Sequence, residues 1–149
     1  MNDLLPLMRD QRKSDADHLQ LLAIFHFVFA GLAFVGLGFL CLHHAVVRHF
    51  LGHPEFWRNQ QGGPPPEQIL AWLNWFYLGF GVLFVTGGLL NVISGLCLRR
   101  RAGRLFSLVI AGLNCIQIPF GTALGVFTII VLLRDSVREA YAAGATPPA

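Results

Sequence analysis

Charge is what this chain has least of. Only 13% of its 149 residues are charged, against 54% hydrophobic, whereas soluble domains carry about 25% charged residues. The 11 basic and 8 acidic side chains are also segregated, with none inside Leu19–Leu42, Ile69–Leu98 or Leu105–Leu133. A soluble helix keeps one polar face, so stretches that are apolar all round exclude an ordinary water-soluble fold and suit lipid as the solvent. The mean hydropathy of +0.57 agrees.

Acid is missing from those stretches altogether. Proton-coupled carriers usually need a buried carboxyl group and cation pores often ring their mouths with one, so both readings lose support. Cysteine is scarce. Cys41, Cys97 and Cys115 all fall in apolar runs without a C-x-x-C pair and read as buried structural thiols. There is no Ser–His–Asp set, no carboxylate pair near a membrane face and no nucleotide loop; LGFGVLF at 78–84 lacks the third glycine of G-x-G-x-x-G. These absences describe a chain that is not an enzyme and takes no cofactor or metal. The net charge of +3 and pI near 9.1 resemble a nucleic-acid footprint. The arginines, however, flank the apolar runs, where membrane topology places them, so no nucleic-acid partner is expected.

Residues 1–18 mix Asp3, Asp10, Asp15 and Asp17 with Arg9, Arg12 and Lys13. The apolar run behind them is longer than a signal-peptide core and has no small-residue cleavage site, so it is expected to stay as an anchor. Leu19–Leu42 would span about 36 Å as a helix, enough to cross a hydrocarbon layer of about 30 Å. The stretch QGGPPPEQ then breaks any helix and marks an exposed loop. Trp72, Asn74, Trp75 and Tyr77 suit the headgroup level. The outer loop is therefore placed at 43–74 and the second span at 75–98.

Leu105–Leu133 would be about 43 Å long as a single helix, more than one crossing needs. QIPFGT at 117–122 interrupts it. Pro119 suits the first position of a new helix, and Gly121 lets the chain turn tightly. The expected result is a hairpin at Pro119–Thr122 between spans 102–118 and 119–138, each reaching about 28 to 33 Å with help from flanking arginines. The fold class is thus all-α, an up-down four-helix membrane bundle over 19–140 with a flexible tail at 141–149. Four crossings place Arg9, Arg12, Lys13, Arg99, Arg100, Arg101, Arg104, Arg134 and Arg138 on one side and only Arg48 and Arg58 on the other. That bias puts both termini in the cytoplasm and lets Arg99–Arg104, Arg134 and Arg138 face anionic lipid.

LLAIFHFVFAGLAF at 21–34 and LVIAGLNCIQIPFGTALGVFTIIVLLRDSV at 108–137 resemble an uncharacterised family of small bacterial inner-membrane proteins. That family shares an I-F-H-[YF]-V-x-A-G-L start and a closing P-F-G-T-x-L-G-x-[FY]-T signature. The resemblance implies a four-helix protein of the bacterial inner membrane and assigns no catalytic residue.

His26 is the one ionisable side chain deep within a span. Counted from the arginine end it lies level with Asn91, about 12 Å in, with Ser94, Ser107 and Thr128 within two turns. A structural polar layer of His26, Asn91, Ser94 and Thr128 is expected, with the imidazole bonded to Asn91 or a hydroxyl. Gly31, Gly87, Gly88, Gly112, Gly121 and Gly125 are expected at helix contacts, where small residues let backbones approach. His43, His44, His49 and His53 are expected in a solvated interfacial segment rather than around a metal. A non-enzymatic protein of assembly or interaction follows, with membrane lipid and a homo-oligomer or membrane partner as its company. The rival is an oligomeric channel or small-solute transporter lined by Asn91, Asn114, Gln117 and Thr122.

Overall fold

The computed structural model describes residues 4–58 and 67–144, and every regular element among them is helical. The glycine–proline centre of the expected loop and the last five residues of the expected tail lie outside the described residues. The helices are α1 (Leu4–Gly52), α2 (Pro54–Trp57), α3 (Glu67–Arg100), α4 (Arg104–Asn114), α5 (Phe120–Leu133) and α6 (Asp135–Gly144).

Two stretches are long and apolar enough to cross a membrane, Asp10–Gly52 in α1 and Glu67–Arg100 in α3. α1 extends beyond the expected 19–42 at both ends. No residue before Gly52-His53-Pro54 stops it, and the polar start is rich in helix-forming Leu, Arg, Gln, Lys and Ala. α6 likewise takes up 141–144, where a flexible tail was expected.

The chain divides into two compact units, one made of the residues up to Ala30 and from Leu89 onward, the other of Gly31–Gly88. In the second unit α1 and α3 run antiparallel. The Phe84 ring fills the place of a side chain at Gly36 and the Phe34 ring that at Gly88, while His43 meets Tyr77 and His44 meets Asn74.

In the first unit Leu19, Leu22, Ala23, Leu98, Leu124, Leu132, Val137 and Tyr141 form an apolar cluster. Beside it His26, Asn91, Ser94, Ser107, Asn114 and Thr128 are also buried. Large apolar side chains such as Leu21, Phe25, Leu105, Val109 and Phe127 point outward. Polar groups inside and apolar groups outside reverse the order that water imposes.

α4 and α5 form the expected helical hairpin. Its turn occupies 115–119 rather than 119–122, with a cis Ile118–Pro119 bond and Pro119 as the N-cap of α5. Gly121 and Gly125 make the close approach possible. A Cβ on Gly121 would strike the Asn114 carbonyl oxygen, and one on Gly125 would strike that of Ala111. A Cβ at Gly31, Gly87 or Gly112 would meet open space, so these three do not provide the close backbone approach that Gly121 and Gly125 do.

Both arms are shorter than expected. Arg101 and Gly103 adopt left-handed backbone angles (φ 50 and 62), so α4 starts only at Arg104. α5 stops at Leu133 because Arg134 is extended (ψ 138), and α6 leaves at 71° instead of continuing to 138. At 11 and 14 residues the arms are about 16 and 21 Å long. The thiols also differ from expectation: Cys41 is exposed, and Cys97 and Cys115 are half-buried.

Candidate functional site

The buried stripe of α1 runs Asp15, Leu19, Leu22, Ala23, His26 and Ala30, the 3.6-residue spacing of one helix face. It carries two ionisable groups at different depths, His26 among the helices and Asp15 near the arginine-rich end. Two arrangements follow from them.

The first is the polar layer. His26 does not bond to Asn91. Its Nδ1 donates to the Leu22 carbonyl of its own helix at 2.9 Å, and its Nε2 has no partner among the described residues. Asn91 is engaged by Asn114 instead: each side-chain amide donates to the other's oxygen, at 3.2 and 2.9 Å. Thr128 bonds to the Leu124 carbonyl one turn back, at 2.8 Å. The Ser94 and Ser107 hydroxyls are buried without partners among the described residues. The layer therefore holds α3 against α4 through a single amide pair, while its other members mostly serve their own helices.

The second arrangement is a clamp at the α5–α6 corner. Asp15 is 5% exposed and accepts from Arg134 Nη1 at 2.9 Å and from Ser136 Oγ at 2.5 Å. Arg104 Nε donates to the Leu132 carbonyl at 2.8 Å, satisfying an acceptor that the end of α5 would otherwise leave open. Arg104 and Arg134, expected from sequence as topology signals, also fix the bend. Among the described residues Arg138 pairs with exposed Asp135, at 3.3 Å, a contact worth little. Arg99, Arg100 and Arg101 are exposed.

Asp15 and Ser136 belong to the clamp without being among the site residues expected from sequence. Asp15 had a legible signal, since it falls on the same face as Leu19 and Leu22. Ser136 had none.

Of the residues assigned to a transport path, Asn91 and Asn114 consume each other, and Thr122 Oγ1 donates to the Cys115 carbonyl at 2.7 Å. Only the Gln117 side chain is left, exposed at the hairpin tip. In the other unit Tyr77 hydrogen-bonds with His43 at 2.6 Å, and His44 Nε2 donates to Asn74 at 3.1 Å. The His49 and His53 rings lie edge to face at 4.2 Å. Among the described residues no three His, Cys, Asp or Glu side chains are grouped to hold a metal ion.

No family model, curated protein or solved structure matches the chain.

Proposed function

We propose that this is a non-enzymatic integral membrane protein of the bacterial inner membrane that works by assembly, with itself or with a membrane partner, through the tip of the α4–α5 hairpin. α1 and α3 are the full crossings, both termini are cytoplasmic, and the hairpin enters from the cytoplasmic side and returns. Arms of about 16 and 21 Å fall short of a hydrocarbon layer of about 30 Å. The amide pair supports a shallow depth. Asn114 ends α4 opposite Asn91, nine residues before Arg100 and so about 13 Å from the arginine end of α3. The tip lies just beyond, near mid-membrane. This replaces four full spans by two spans and a re-entrant hairpin, and it leaves the nine-to-two charge bias intact.

The observation that carries assembly is what that tip presents. Ile116, Ile118 and Phe120 are 76%, 83% and 76% exposed, and the Gln117 side chain stands among them without a hydrogen bond to any described residue. The turn backbone looks after itself, through Gln117 N–H to Asn114 O, Thr122 N–H to Gln117 O and Thr122 Oγ1 to Cys115 O. The Gln117 amide has no such partner. A bare amide in hydrocarbon is costly, and glutamine at such positions hydrogen-bonds across helices. The test is size measurement and in-membrane cross-linking of the native chain and Gln117→Leu. The native chain should form an oligomer or retain a membrane partner, and the variant should lose it while remaining folded. A native chain that runs only as a lone monomer contradicts the assembly reading.

A further inference from the structure

A cavity of about 520 Å³ opens in the first unit between the start of α1, the end of α3 and α6. Its polar lining is Arg12, Arg100, Arg101, Asp15, Ser136 and Glu139, above an apolar floor that includes Leu19 and Val137. Asp15 is already neutralised by Arg134 and bonded by Ser136. That leaves three guanidinium groups facing the single carboxylate of Glu139. Among the described residues Arg12, Arg100 and Arg101 form no ion pair.

Arg101 adds an independent observation. The Ala102 N–H bonds to the Cys97 carbonyl at 2.9 Å and the Arg101 N–H to that of Leu98 at 3.3 Å, the paired closure of a Schellman motif at the end of α3. That motif puts its penultimate residue in the left-handed region, where glycine sits without strain. Here an arginine occupies the position, with φ 50. The strained backbone is tolerated at the residue whose guanidinium lines the cavity. Strain of this kind gathers where side-chain placement matters more than local stability.

We propose that the cavity binds a phosphate group, that of an anionic lipid headgroup, with Arg12, Arg100 and Arg101 as its ligands. Planar guanidinium groups match phosphate oxygens in pairs of hydrogen bonds, which suits three unpaired arginines around one opening. The site lies where α1 and α3 leave their apolar stretches, which is headgroup level. The inference rests on the membrane reading above but not on the Gln117 contact.

The test uses the full chain in a maltoside detergent and follows the thermal unfolding midpoint on adding short-chain phosphatidylglycerol, the matching phosphate-free glyceride, inorganic phosphate or sodium chloride at equal ionic strength. Phosphatidylglycerol should raise the midpoint where the glyceride and chloride do not. Arg101→Gly should be as stable as the native chain or more so without ligand, because glycine relieves the backbone, yet need about tenfold more phosphatidylglycerol for the same shift. Arg12→Gln should weaken the response likewise. An equal response to inorganic phosphate would keep the site but overturn its assignment to lipid. No response beyond chloride, or a native-like response from Arg101→Gly, overturns the site itself. A monomer that responds to phosphatidylglycerol would sink the assembly reading alone; an oligomer that does not would sink only this one.

Discussion

Asn91 and Asn114, on α3 and α4, each donate a side-chain amide to the other's oxygen while almost completely buried. Replacing one by leucine removes both hydrogen bonds between the helices and takes from the other amide its interhelical donor and acceptor, at a cost of about 1 to 3 kcal/mol. Replacing both removes that second amide as well. Asn91→Leu and Asn114→Leu should therefore each lower thermal stability in detergent, and the double variant should lose less than the two combined, by about 0.6 to 2 kcal/mol. Additive losses would show that the pair does not join the helices.

The glycines separate into two groups with opposite expectations. Gly121→Ala and Gly125→Ala drive a methyl group into backbone carbonyls of α4 and should destabilise by about 1 to 3 kcal/mol. Gly31→Ala and Gly112→Ala meet open space within helices and should be neutral or stabilising by up to about 1 kcal/mol, since alanine is the better helix former. Unfolding midpoints of the four variants check the ordering.

Asp15 should depend on Arg134 more than Arg134 depends on Asp15. The carboxylate is buried, while the arginine side chain is 41% exposed. Arg134→Gln strands a buried charge and should cost about 2 to 3 kcal/mol, less than a fully buried pair because water reaches the arginine. Asp15→Asn strands nothing charged inside and should cost less. Proteolysis at the α5–α6 corner gives a second readout, with faster cleavage in Arg134→Gln.

Tyr141, on α6 beyond the apolar segments, has its hydroxyl pushed up to about 12, chiefly by burial. The native state then holds a proton that the unfolded chain, at an ordinary value of 10.0, releases first. The contribution is intact below pH 10 and is lost as pH rises from 10 towards 12. Tyr141→Phe should flatten the stability profile over that interval. At neutral pH it should be at least as stable as the native chain, because the hydroxyl is buried without a hydrogen-bond partner among the described residues. Chemical denaturation at a series of pH values resolves both effects.

The long apolar helices and the reversal of the last apolar run were legible because each depends on local chemistry, an uncharged run in one case and Pro119 with Gly121 in the other. Gly121 and Gly125 were legible as a spaced pair of small residues, and His26 and Asn91 could be placed at buried depth by counting turns. The ends of the short helices were not legible. Arg101 takes a backbone conformation that a glycine would have advertised, and Arg134 breaks α5 with no proline or glycine beside it. That break is held by Asp15, 119 positions earlier, and by Arg104 from α4. The partner of Asn91 was missed for a related reason: depth was readable from sequence, but whether His26 or Asn114 faced it depended on helix rotation.

The most direct measurement is the membrane depth of Ile118. A spin label there, on a chain whose native cysteines are replaced by serine, reports exposure to oxygen, which enriches at mid-membrane, and to a water-soluble nickel chelate. We expect high oxygen and low nickel exposure, as for a tip that stops near the centre of the bilayer. High nickel exposure, from the side opposite the termini, would mean that α4 and α5 cross completely and would contradict the half-depth hairpin.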